Sequence, residues 1–205
     1  CAACYGVAIV LGLVMVAARG TALLWIGLVG VVLSLQYTGA PLRLVYRGLG
    51  EPVTALGFGP IMTIGAYEVC AREWSWPAIY ASLPVAILIA LVLYVNQVPD
   101  RAGDAAVGKR TLIVRWTPDR VRAAYVASTA TAFALIAVGP LLGITPWWTL
   151  AGLATIPVAR AVTRGLRTAY DRPYELMPSM QKNIVLHLAT GLLLVAGWVV
   201  AGIVG

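Results

Sequence analysis

Apolar residues run along this chain in seven stretches, roughly 4 to 18, 21 to 36, 52 to 70, 77 to 97, 123 to 142, 146 to 163 and 184 to 204, and polar residues gather between them. In hydrocarbon a backbone N–H or C=O has no water partner, so segments this apolar cross a bilayer only as helices. A straight crossing takes about 20 residues, and several of the stretches fall a little short of it. The pattern predicts an all-α fold, a polytopic transmembrane helical bundle of about seven spans. One domain covers residues 1–205, with no linker, low-complexity tract or clear internal repeat. Gly27, Gly30, Gly57, Gly59, Gly65, Gly191 and Gly197 lie inside the spans and are read as points of close helix contact.

Composition agrees, since 60% hydrophobic and 11% charged residues leave too little polar material to cover a soluble surface. The net charge of +7 would suit a nucleic-acid partner if it formed one patch, but its placement excludes that reading. Lys and Arg alternate by connection: Arg43 and Arg47 in the second, Arg101 to Arg122 in the fourth and Arg160 to Lys182 in the sixth, with only Arg19 and Arg72 on the other side. Basic loops stay in the cytoplasm. The expectation is a multi-pass protein of the cell membrane, surrounded by lipid, with those three connections cytoplasmic, Cys1 inside and Gly205 outside. Cys1, Cys4 and Cys70 have no His or acidic neighbour at ligand spacing and read as packing residues. His187 reads as a hydrogen-bonded packing residue, and Glu68, near the outer end of its helix, as water-accessible. The chain opens on Cys with no charged segment before the first apolar run, a pattern expected of an N-terminally incomplete sequence.

The chemistry concentrates after the fourth stretch, in Asn96-Gln-Val-Pro-Asp100-Arg-Ala-Gly-Asp104-Ala-Ala-Val-Gly108-Lys109-Arg110-Thr-Leu-Ile-Val-Arg115. Asn96, Asp100 and Asp104 are spaced i, i+4, i+8, so a helix continuing past Val95 stacks their oxygens on one face. Two carboxylates one turn apart repel, and a divalent cation between them relieves the repulsion; Mg²⁺ held by one or two carboxylates plus substrate phosphates is the common arrangement. Asp100 and Asp104 are therefore the candidate catalytic pair and, with Asn96, the candidate Mg²⁺ ligands. Lys109, Arg110 and Arg43 are candidates for binding the diphosphate oxygens. The alternative is a solvated loop whose acids balance its basic neighbours. Gly103-x4-Gly108-Lys109 nearly spells a P-loop, but Arg110 stands where Ser or Thr would bind the metal and no strand precedes it. Tyr37 and Tyr46 flank the second connection, as interface aromatics or as cation-stabilising rings. That connection reads as a partly ordered loop able to close over a ligand, and a bundle would gather all three basic connections at one mouth.

Asn96-Gln-Val-Pro-Asp100-x3-Asp104-x3-Gly108-Lys109-Arg110-Thr111-Leu112-x-Val114-Arg115 resembles the second aspartate-rich motif of the UbiA superfamily of intramembrane prenyltransferases. Tyr37-Thr-Gly-Ala-Pro41, Gly48-Leu-Gly-Glu51 and Asn183-Ile-Val-Leu-His187 are similar to the corresponding segments of the MenA-like branch, the 1,4-dihydroxy-2-naphthoate polyprenyltransferases. The resemblance implies a nine-helix fold with two aspartate-rich motifs, of which this chain would hold helices three to nine and one motif; alone it is expected to be inactive. It also implies transfer of a polyprenyl chain from an allylic diphosphate to an aromatic acceptor. With 1,4-dihydroxy-2-naphthoate the acceptor loses its carboxylate and demethylmenaquinone forms, a step of menaquinone biosynthesis. Other acceptors, such as 4-hydroxybenzoate, a transporter component and a non-catalytic membrane subunit are the competing readings. Against a transporter, the spans carry no ionisable side chains apart from those at helix ends.

Overall fold

A computed structural model describes residues 2–204, so the expectations for Cys1 and Gly205 fall outside the described residues. Among these residues the regular structure is helical throughout. The helices are α1 (Ala2–Arg19), α2 (Ala22–Thr38), α3 (Gly50–Leu56), α4 (Met62–Ala71), α5 (Trp76–Ala106), α6 (Leu112–Arg115), α7 (Pro118–Leu141), α8 (Ile156–Thr168) and α9 (Pro173–Val204). Single 3-10 stretches at Leu44–Arg47 and Trp147–Thr155 and a π stretch at Gly57–Ile61 complete the regular structure.

These elements reproduce the seven apolar stretches. The π stretch joins α3 to α4 in one span, Gly50–Ala71, and Pro60 inside it explains the widened turn, because proline lacks the N–H that a regular turn would use. With α5, α7 and α9, that span is long and apolar enough to cross a membrane. The first two stretches are shorter apolar helices, and the sixth is divided between a 3-10 stretch and α8. Helix starts follow their capping residues. The hydroxyls of Ser75, Thr111 and Thr117 accept from the backbone N–H of Ala78, Val114 and Arg120, and Pro77 and Pro118 occupy the first turns they open.

α5 is the central post. Its buried Leu88, Tyr94, Val95 and Val98 pack against Val121 and Tyr125 of α7, Leu166 of α8 and Leu186 of α9. In lipid, apolar packing between helices gains little over lipid contact, and polar pins count for more. Tyr125 Oη donates to Asn183 Oδ1 at 2.8 Å, and Asn183 Nδ2 donates to the Leu91 carbonyl at 2.8 Å, tying α7, α9 and α5 at one buried point. Tyr94 Oη adds a bond to the Val121 carbonyl at 3.2 Å, and the Thr155 and Thr190 hydroxyls meet at 2.7 Å.

Several expectations for individual residues need correction. Glu68 is buried, with Oε2 unpartnered, because its position on α4 faces the bundle rather than the outer water. The Nδ1 of His187 is buried without a hydrogen bond, so this residue packs but is not pinned. Cys4 and Cys70 are free thiols on exposed helix surface rather than in the core. The glycines divide. A Cβ at Gly59 would run into Ala86, and one at Gly197 would lie 2.7 Å from the backbone of Trp148 and Thr149, so these two are close contacts. Gly27, Gly30, Gly57 and Gly191 face open space.

Candidate active site

α5 runs unbroken past Val95 to Ala106, with Pro99 accommodated inside it, so Asn96, Asp100 and Asp104 do lie along one helix face. The helix ends where Gly108 takes φ +77, and Lys109 N–H then bonds back to the Asp104 carbonyl at 2.9 Å. That reversal brings Lys109 Nζ to 2.7 Å from Asp104 Oδ1, in a partly buried ion pair. The ammonium is held above the usual lysine range, first by this hydrogen bond and further by the charges of Asp104, Tyr46 and Asp100 around it. Asp100 is exposed and makes no ion pair among the described residues. The acidic and basic halves of the site therefore face each other: Asp104 is held by Lys109, and Asp100 is the open carboxylate.

The second connection is stitched onto this helix end. Arg110 N–H donates to the Tyr46 carbonyl at 2.9 Å, and Gly48, at φ +77, sits so close that a Cβ would lie 3.0 Å from the Arg110 carbonyl and 3.3 Å from the Arg115 guanidinium. The loop is thus ordered and already docked. Lys109 Nζ and the Arg43 guanidinium each lie 5.9 Å from the centre of the Tyr46 ring. Arg43 holds φ 45, a left-handed conformation that costs a non-glycine residue about 1–2 kcal/mol. Arg110 contributes its backbone to the stitch, and its side chain is exposed. The third basic connection joins through Arg101, which pairs with Asp171 and lies 4.8 Å from the Tyr170 ring centre. All three basic connections meet at this end of the bundle.

Directly beneath lies a cavity of about 600 Å³ between α2, the α3–α4 span and α5. Its walls are mostly apolar, with Asn96 and Tyr37 at the charged end, and the Tyr37 hydroxyl rests against Gly50. Gly30 and Gly57, read from the sequence as helix contacts, instead line this cavity and leave its walls open. Asn96 is the residue common to the carboxylate face and the cavity. The predicted residues Asn96, Asp100, Asp104, Lys109, Arg43, Tyr37 and Tyr46 thus gather around the end of α5.

One residue was not singled out by the sequence reading. Glu51 is buried in the first turn of α3, and neither carboxyl oxygen has a hydrogen-bond partner among the described residues. Gln97 lies beside it outside hydrogen-bond geometry, with its own Oε1 buried and unpartnered. Glu51 opens on a groove of about 250 Å³ between α3, α5 and α7, walled by Tyr94 and Trp116. In the sequence it stands only as the last residue of Gly48-Leu-Gly-Glu51, with no neighbouring acid to assign it a role.

A divalent ion fits the donor set in one mode only. Among the described residues no three His, Cys, Asp or Glu side chains converge on a metal position. One free carboxylate, a second in exchangeable contact with a lysine and an amide suit Mg²⁺ that keeps its remaining sites for water and substrate phosphate.

The model of the UbiA prenyltransferase family matches residues 2–177. The chain is 31% identical over 196 residues to the 2-carboxy-1,4-naphthoquinone phytyltransferase of Synechocystis sp., covering 95% of this chain and 64% of that protein. It is 25% identical over 199 residues to the 1,4-dihydroxy-2-naphthoate octaprenyltransferase of Bacillus subtilis, covering 97% and 64%. The enzyme of that name from Mycobacterium tuberculosis is 30% identical over 148 residues, 72% of this chain and 50% of that one. The chain thus spans about 64% of the length of the first two relatives. No solved structure matches it significantly.

Proposed function

The chain belongs to the UbiA prenyltransferase family, and on that premise we propose that it carries the donor-binding half of a site transferring a polyprenyl chain from an allylic diphosphate to 1,4-dihydroxy-2-naphthoate. The observation that carries this reading is the position of Asn96, where an apolar cavity of about 600 Å³ meets a face of carboxylates and cations. An amphiphile with a long apolar tail and a dianionic head has that shape and polarity. The reading places the charged end at the cytoplasmic side of the cell membrane, in keeping with the basic connections gathered there.

Asp100, with Asn96 and Asp104, would hold Mg²⁺, which when bound supplies the charge neutralisation that makes diphosphate a better leaving group. The protein's own groups do the rest. Lys109 turns from Asp104 to the diphosphate oxygens as the donor enters, so the ion pair is a resting state that keeps both partners placed. Arg43, held in its left-handed conformation, and Arg110 add charge-assisted hydrogen bonds to the same oxygens. The allylic C–O bond breaks and its electron pair leaves with the diphosphate. Tyr37 and Tyr46 present ring faces to the resulting cation, a contribution of up to ~2 kcal/mol where water is excluded. The acceptor ring supplies the electrons of the new C–C bond and loses its carboxyl group as carbon dioxide. The acceptor assignment is supported by the names of the relatives, which act on naphthoate compounds.

The test is Asp100→Asn in the full gene product, assayed for prenyl transfer with saturating Mg²⁺. Turnover should fall by at least ~100-fold, the scale of removing one group that stabilises developing charge. Near-normal turnover would remove Asp100 from the mechanism. Efficient prenylation of 4-hydroxybenzoate with none of dihydroxynaphthoate would move the protein to another acceptor class.

A further inference from the structure

Most arginines of this chain are engaged. Arg101 pairs with Asp171, Arg122 with Asp119 and the Leu166 carbonyl, Arg172 with Glu175, and Arg120 lies 4.6 Å from the Trp116 ring centre. Arg47 and Arg72 reach backbone carbonyls. Arg19, Arg110 and Arg115 are exposed without an ion pair or side-chain hydrogen bond among the described residues, and so are Arg160, Arg164 and Arg167, but these last three stand together on one helix, α8. Their spacing of four and three puts them on one face of the helix, spread over about 10 Å of its axis.

That face is not open water. The three arginines form one edge of a groove of about 480 Å³ between α7 and α8, whose other walls include Val126, Phe133 and Ile156. A row of unpaired guanidiniums along an apolar groove in a membrane-spanning chain needs an anionic head with hydrocarbon attached. Arg167 stands at the helix end, but Arg160 lies two turns further in, toward the spans, where any hydrocarbon around it penalises an uncompensated charge, by ~2.5–3.5 kcal/mol at full depth. Snorkelling relieves part of that cost; a phosphate lying in the groove relieves the remainder.

We propose that the α7–α8 groove binds an acidic phospholipid, its phosphate clasped by Arg160, Arg164 and Arg167 and an acyl chain lying along Val126 and Phe133. The site is separate from the carboxylate face of α5, because α7 packs on the face of α5 that carries Val95 and Val98 rather than the one that carries Asn96, and α8 lies beyond it against α7 and α9. The occupant is lipid and not a protein segment, because the row of guanidiniums runs beside Val126 and Phe133 of α7, a helix long and apolar enough to cross a membrane, so charge and hydrocarbon are offered side by side. Each arginine near an anionic head is worth roughly a fivefold preference, so three predict selectivity on the order of 100-fold.

The full gene product is reconstituted in vesicles of phosphatidylcholine mixed with phosphatidylglycerol, extracted in mild detergent, and its retained lipid quantified. Phosphatidylglycerol should be strongly enriched over its vesicle fraction. R160Q/R164Q/R167Q should abolish the enrichment, while R72Q, near the other end of the bundle, should preserve it. Equal enrichment in the triple variant overturns the proposal, and so does displacement of the lipid by inorganic phosphate at matched concentration, which would mark a general phosphate site. Should the triple variant fail to fold, a photoactivatable phosphatidylglycerol applied to the unsubstituted protein decides: adducts on α7 or α8 support the site, and adducts confined to other helices refute it.

Discussion

The cavity below Asn96 should set how the donor tail is accepted, and Gly57 offers a way to ask. It lines the cavity, its backbone is ordinary right-handed helix (φ −66, ψ −51), and a Cβ there meets no atom within 4 Å. A leucine can therefore enter without backbone strain, and replacing a helical glycine should add about 0.5–1 kcal/mol of stability. The cavity follows α5 from Asn96 to Ile89, seven residues or about 10 Å. Two isoprene units, each advancing four C–C bonds of ~1.5 Å, fill that length. Gly57 stands one turn below Thr54, at the level of the second unit. Gly57→Leu should spare a one-unit donor, dimethylallyl diphosphate, and overpack longer ones by about 1–3 kcal/mol. In kcat/KM that is roughly a 5- to 150-fold loss for long donors alone. The assay compares prenyl transfer from dimethylallyl and polyprenyl diphosphates in membranes carrying either form, with melting temperature in detergent as the folding control. An unchanged ratio between the two donors, in a variant that melts no lower than the parent, would show that the tail lies elsewhere.

Three further outcomes follow from single residues. Asn183→Leu removes the shared partner of Tyr125 and the Leu91 carbonyl and should cost about 1–3 kcal/mol, read as a lowered melting temperature, with less than additive loss when combined with Tyr125→Phe. Glu51→Leu replaces a buried, unpartnered carboxyl, so the melting temperature should rise; a simultaneous fall in turnover would mark the acid as kept for the reaction, and a fall in stability would reveal a partner for it. Lys109 has its folded value raised above the unfolded one near ~10.4, so its contribution is complete below that pH and is lost only as pH climbs through the raised value. Amine-directed labelling of Lys109 should therefore lag behind exposed lysine up to strongly alkaline pH, and Asp104→Asn should abolish the lag.

What the sequence made legible was periodic or contiguous. The spans are apolar runs, and the i, i+4, i+8 spacing of Asn96, Asp100 and Asp104 is one helix face in any structure that keeps the helix intact. What stayed hidden needed two segments to meet. The sequence leaves Asp104 and Lys109 open between separate halves of a site and acids balanced by basic neighbours; it takes the turn at Gly108, which a linear sequence does not show, to bring these two into an ion pair. The role of Glu51, visible only as the end of Gly48-Leu-Gly-Glu51, was hidden for the same reason: its significance is its burial beside Gln97, 46 positions along the chain. The glycines gave the least reliable signal. A small residue allows close approach and leaves empty volume equally well, and only the neighbouring helix decides between them. Gly59 and Gly197 proved to be contacts; Gly30 and Gly57 proved to be space.

The way α5 is held explains why these pieces act together. In hydrocarbon a helix gains little by exchanging lipid for protein, so its rotation about its own axis is set by polar pins and close contacts. Asn183 grips the Leu91 carbonyl, Tyr94 reaches Val121, and Gly59 admits Ala86. The first two attachments, at Leu91 and Tyr94, lie on the side of α5 away from Asn96 and Asp100, while Ala86, about five turns before Asp104, seats the acidic side of the helix against the α3–α4 span. Together they fix the rotation of the helix so that Asn96 meets the cavity and Asp100 and Asp104 meet the stitched loop. A rotation of one residue, 100°, would turn Asn96 out of the cavity and direct Gln97 toward it. Placement of the carboxylates is therefore a property of buried groups well below them, and variants at Asn183 or Gly59 should impair donor binding while touching neither the acids nor the cations.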